Sequence, residues 1–160
     1  MAEHVRLAID PGPERSAWLI LGDHGGVRAF AIWPNDELLG LLRGDLHGGL
    51  SAEVTHMAIE KVESFGMAVG AEVFETVFWS GMMAEAARTL IVERVTRRAV
   101  KLHLCGSARA KDPNIRAALL DRYGGAAAIG TKANPGPLYG ISKDVWSALA
   151  VAVTAADTLP

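Results

Sequence analysis

Val5-Arg6-Leu7-Ala8-Ile9-Asp10-Pro11-Gly12-Pro13 is an apolar run rich in strand-forming residues that ends on an acid and breaks into a proline-glycine turn. Val5–Ile9 reads as a strand and the residues after Asp10 as the turn that stops it. Working outward, Ala17–Leu21 is a second strand, Gly22–Gly26 a turn, and Val27–Trp33 a third strand. Short links between the three predict an antiparallel meander. Pro34–Glu37 opens a short helix carrying Leu38, Leu39, Leu41 and Leu42, with acids in its first turn, and Gly44–Gly49 is loop. Thr55–Ile59 is a fourth strand that ends at Glu60, and the helix after it predicts a parallel addition to the sheet.

A long helix is expected over Ala71–Val92. Its Val73, Phe74, Val77, Phe78 and Met82 spread beyond one stripe, which predicts burial on two sides, against the sheet and against another helix or another subunit. Val95 and Thr96 form a short fifth strand. Helices follow over Arg97–Leu104, from Asp112-Pro113 to Tyr123, and from Ser142 to Ala156, with a glycine- and proline-rich loop over Gly124–Gly140. The expected class is α/β: one domain over residues 1–160, with a five-stranded mixed sheet, three strands antiparallel and two parallel, flanked by helices.

Composition sets the outer limits. The chain has 160 residues, half of them hydrophobic, enough for one ordinary core. No apolar run reaches the ~18 residues of a membrane span. Met1–Val5 lacks the basic and apolar regions of a secretory signal. With one cysteine, Cys105, there is no internal disulfide, and a cytoplasmic setting is expected. Cys105 and the histidines show no metal-ligand spacing. Net charge is −2, but it is unevenly spread. Residues 1–60 carry four basic side chains and nine acidic ones; residues 88–123 carry nine basic ones and three acidic ones. An acidic half beside a basic half suits a carboxylate metal site flanked by a phosphate-binding surface, although on charge alone a solvated face is the better reading.

Asp10 and Glu60 each close a predicted strand, and Asp144 opens the last helix. Hard divalent cations such as Mg²⁺ take oxygen ligands, mainly carboxylates and water. Acids gathered from three distant positions at one sheet edge would form such a site, while acids at strand ends and helix starts also serve as turn residues and dipole partners.

The wording of the motifs goes further. Leu7-Ala8-Ile9-Asp10-Pro11-Gly12 resembles the opening of the RuvC family of Holliday-junction resolvases, nucleases of the RNase H-like fold. Ala58-Ile59-Glu60 resembles its second acidic motif. Val100-Lys101 with Gly106-Ser107-Ala108-Arg109-Ala110-Lys111 resembles its Val-Lys and Gly-x-x-Arg-Ala segment. Asp144-Val145-Trp146-Ser147-Ala148-Leu149-Ala150 resembles its terminal Asp-x-x-Asp-Ala-Leu-Ala helix. The four occur in order over nearly the whole chain. Phe65–Trp79 and Gly136–Gly140 are most similar to the bacteriophage branch.

The resemblance implies an endodeoxyribonuclease that resolves four-way junctions and other branched DNA with Mg²⁺, which Mn²⁺ would replace; symmetric cutting needs two sites, so a homodimer is expected, with the two-faced helix 71–92 as its interface. Asp10, Glu60 and Asp144 fall on three of the four catalytic carboxylate positions. The fourth is Ser147, a weaker and uncharged ligand, so a junction-binding protein with little catalysis is the alternative. Asp144 and Ser147 lie three apart on a helix and share a face. Glu63 lies near but would face away from Glu60's side. Lys101 matches a lysine near the scissile phosphate. Arg109 and Lys111 match a DNA-facing segment, Lys111 approximately, since the family lysine falls where this chain has Asp112. Arg94, Arg97 and Arg98 are expected at the DNA backbone. Phe65 is expected to stack on an unpaired base at the junction centre.

Overall fold

A computed structural model describes residues 4–160; Met1–Glu3, the start of the segment read for a secretory signal, lie outside the described residues. Five strands form one sheet in the order β3-β2-β1-β4-β5. β1 (Val5–Asp10), β2 (Arg15–Leu21) and β3 (Val27–Pro34) form the antiparallel meander, and β4 (Val54–Lys61) and β5 (Ile91–Thr96) add in parallel beside β1. The expected mixed sheet is therefore the observed one. The helices are α1 (Asn35–Arg43), α2 (Ala71–Ala86), α3 (Arg97–Cys105), α4 (Asp112–Arg122) and α5 (Val145–Thr158).

Alternation along each strand divides the core into two layers. Leu7, Ile9, Met57 and Ile59 point to the face covered by α1 and α2, where they meet Leu38, Leu41 and Met83. Ala8, Ala17, Ala58 and Val95 point to the other face, under α5, α3 and α4. Three of those four are alanines, and α5 answers with Ala148, Ala150, Ala152 and Ala155, all buried. Small residues on both sides let the α5 backbone lie close to the sheet, which brings its first turn to the ends of β1 and β4.

Two expectations need correction. The long helix ends at Ala86, not Val92. A turn through residues 87–90 follows, and the β-branched pair Ile91-Val92 starts β5, whose partners are His56 and Met57. The backbone hydrogen bonds of parallel pairing with β4 outweigh the weak helical preference of Ile and Val there. The other expectation narrows: within the chain the helix is covered on one side only, which leaves another subunit, not another helix, for the second side. α2 buries Thr76 and Met83, but Phe74 is 65% exposed and Phe78 58%. The Gly124–Gly140 connection is ordered: it holds a 3-10 turn at Gly125–Ala128 and a bridge between Gly130 and Pro135, and Leu138 is fully buried. No described helix is long and apolar enough to cross a membrane.

Candidate active site

Asp10 and Glu60 become neighbours through strand register. Ile9 pairs with Ile59 across the parallel β1–β4 ladder, so the next residue of each strand is an acid, and both acids fall on the α5 side of the sheet. Glu60 shares a pocket with Asp144 and Ser147 from the first turn of α5 and with Arg97 from α3. Asp144 sits at the N-cap of α5 but makes no side-chain cap hydrogen bond, so its carboxylate is not spent on capping. Glu60, Asp144 and Ser147 thus line one pocket, and Asp10 stands beside Glu60 at the end of the neighbouring strand.

The turn after Asp10 is clamped from below. The Ser16 hydroxyl accepts from the Gly12 N–H at 3.1 Å and donates to Asn35 Oδ1 at 2.6 Å, and Asn35 Nδ2 donates to the Gly12 carbonyl at 2.9 Å. Ser16 and Asn35 are both buried. This network fixes the Asp-Pro-Gly turn and hence the end of β1. It went unrecognised in the sequence because Ser16 and Asn35 are unremarkable polar residues until register places them under Gly12. A side chain on Gly12 would put its Cβ 2.3 Å from the Arg15 carbonyl oxygen, a backbone group that cannot swing away. Gly12→Ala is therefore expected to cost ~1–3 kcal/mol of stability, read by thermal melting; an unchanged melting temperature would contradict this packing.

Electrostatics mark the same spot. Burial, then the charges of Glu60 and Asp144, push the Asp10 carboxyl up to about 8. Burial also raises Glu60, against the pull of Arg97 and of a hydrogen bond with Asp10. Two carboxyls this close resist ionising together, so the pair holds a proton well above the ordinary carboxylate range. The pair is short of positive charge. Among the described residues no three His, Cys, Asp or Glu donors stand close enough to enclose an ion unaided. Mg²⁺ does not need such a cage: it is commonly held by one or two carboxylates and completes its shell with water and substrate phosphate. An oxygen-only pair with excess negative charge fits that ion.

The basic residues sort by face. Arg97 and Lys101, four apart on α3, share a helix face, and Arg98, Arg109 and Lys111 are exposed on α3 and the segment after it. Arg94 does not join them. It alternates with Glu93 and Val95 on β5, so it points to the sheet face opposite Asp10 and Glu60. Arg122 donates two hydrogen bonds to Asp157, and Arg88 donates one to Glu85. Glu63 pairs with Lys61. Arg116, with its guanidinium 4.8 Å over the Trp146 ring, and Lys143 also line the pocket. Sequence reading missed both; Arg116 could have been found from its position one helical turn past Asp112. Phe65 is 69% exposed, in the segment between β4 and α2, and is not folded onto the core.

No family model matches the chain, and no curated protein matches it by sequence. Among solved structures it is similar to RuvC of Thermus thermophilus, at a TM-score of 0.66 and 16% identity, over 95% of this chain and 93% of that one. It is also similar to T. thermophilus RuvC in complex with a Holliday junction substrate, at a TM-score of 0.64 and 16% identity, over 96% of this chain and 93% of that one. The chain shares the fold of these RuvC structures, an RNase H-like fold, over the 95–96% of its length that they cover.

Proposed function

We propose that the chain is a structure-specific endodeoxyribonuclease that resolves four-way junctions and other branched DNA by divalent-metal-dependent hydrolysis. The observation that carries this reading is the Asp10–Glu60 pair, set by strand register at the sheet edge and shared with Asp144 beneath a basic helix. A divalent ion, Mg²⁺ or Mn²⁺ in its place, would supply the activation of water and the neutralisation of charge at phosphorus. Asp10 and Glu60 would hold it, with Asp144 and the Ser147 hydroxyl across the pocket. Lys101 would stabilise the charge of the scissile phosphate, and Arg97, Arg98, Arg109 and Lys111 would track the DNA backbone. The fold of a RuvC solved with a Holliday junction supports DNA of that shape as the substrate.

Symmetric cutting of a four-way junction needs two sites, and hence a homodimer. The open Phe74-Val77-Phe78 stripe of α2 supports that helix as the interface. Phe65 lies in the segment that leads into α2, so pairing through α2 would set the two Phe65 rings at the centre of a bound junction. Stacking on an unpaired base is worth ~1–3 kcal/mol. Phe65→Ala should accordingly weaken junction binding by ~5- to 100-fold while leaving linear duplex binding unchanged, as read by gel shift. Equal losses on both DNAs would contradict a base-stacking role.

The second reading, a junction binder with little catalysis, is favoured by one observation, the serine at position 147. Incubating the protein with a labelled synthetic junction and Mg²⁺ separates the two. Cleavage of the junction but not of a linear duplex supports the nuclease; tight binding of an intact junction supports the binder.

A further inference from the structure

Arg97 differs in its setting from the other basic residues. It opens α3 directly after β5, whose Val95 is the sheet partner of Glu60. Arg97 lines the pocket that holds Glu60, Asp144 and Ser147, and its guanidinium pairs with Asp112 at the start of α4. Its charge reaches both Asp10 and Glu60. Across the pocket, α5 offers Asp144 and then Ser147, whose hydroxyl carries no charge. A second hard cation on that side would have one carboxylate of its own, a share of Glu60, and a guanidinium facing it. Such an ion is short of ligands and meets a like charge.

Resting on the nuclease reading above, we infer that this site works with a single divalent ion and that the Arg97 guanidinium takes the place of a second one, neutralising the scissile phosphate from the Asp144–Ser147 side. The guanidinium suits that task. It stays charged at any working pH, and its planar fork matches two phosphate oxygens. Asp112 holds it in place until DNA arrives, and the incoming phosphate exchanges with that carboxylate. The loss of a carboxylate at Ser147 and the presence of Arg97 then belong together: the negative ligand is dispensable because the cation it would have held has been replaced by a fixed one.

The test counts ions as well as products. Mn²⁺ is titrated into the protein, free and bound to a junction whose scissile links are blocked to hydrolysis, and followed by electron paramagnetic resonance at a pH above about 8, where the Asp10 carboxyl gives up its proton. The expected result is one ion per chain in the wild type and two in the Arg97→Gln/Ser147→Asp double variant. In Ser147→Asp alone the second ion is expected to bind at least ~10-fold more weakly than in the double variant, because Arg97 still opposes it. Arg97→Gln alone keeps one ion and loses ~100-fold in junction cleavage, the scale of a lost charge-stabilising donor. Two ions in the wild type would overturn the inference, as would a second ion held equally well with and without Arg97. No ion in the wild type, either free or with a junction bound, would instead overturn the metal-nuclease reading itself.

Discussion

Asp10→Asn is expected to make the metal-free protein more stable at pH above about 8 while reducing junction cleavage by ~10³-fold or more. Both halves come from the same crowding. The Asp10 carboxyl lies far above its ordinary value, raised to about 8 by burial and by Glu60 and Asp144. The folded chain therefore holds that proton more tightly than the unfolded chain does. Between the ordinary value near 4 and about 8 the folded state binds more protons, so stability falls as pH rises through this window. Asparagine is neutral throughout and removes the penalty. A gain of ~1 kcal/mol would move the melting temperature by about 2–4 °C for a chain of this size. Saturating Mg²⁺ or Mn²⁺ should restore stability to the wild type by mass action, increasingly as pH rises, because the ion displaces the proton. Asp10→Asn should show little of that gain. A variant that melts below the wild type at high pH without metal would refute the crowded-pair account.

Phe74→Glu/Phe78→Glu is expected to give a folded monomer that no longer makes paired cuts in a junction. Within one chain both rings lie largely in solvent, so charge there costs the fold little. In a dimer built on α2 the same rings are buried. Each buried Phe is worth ~1.5–3 kcal/mol, so the double change weakens association by ~10³-fold or more before charge repulsion is counted. Sedimentation equilibrium reads the mass and thermal melting reads the fold. Double-strand resolution should fall to isolated nicks. A wild type that remains monomeric at tens of micromolar and on the junction would exclude α2 as the interface.

How much of this was legible in the sequence varied with the physics behind each element. The meander was readable because each strand ends in a strong turn signal, Asp10-Pro11-Gly12 and Gly22–Gly26, and both sit where expected. The start of β5 was not, because Ile91 and Val92 continue an apolar pattern that a helix or a strand could use. Only the ladder to His56 and Met57 decides it. The carboxylates were legible as chain positions, since motif order carries them. Their convergence needed two things that pattern does not supply: the Ile9–Ile59 register and the alanine-lined approach of α5. Arg94 was misplaced for a related reason. Charge clustering along the sequence ignores strand alternation, which sends Arg94 to one face and its neighbours Glu93 and Val95 to the other. Arg97 was expected at the DNA backbone, and its place inside the carboxylate pocket emerged only when α3 was seen to start at the end of β5.

The most direct test is a single-turnover assay on an end-labelled four-way junction, with wild type in Mg²⁺, wild type in EDTA, and Asp10→Asn in Mg²⁺. The account requires cuts at related positions in opposing strands in the first reaction alone, with the junction still bound in the other two. Cleavage that survives EDTA or the loss of Asp10, or a bound junction left intact by the wild type in Mg²⁺, would contradict it.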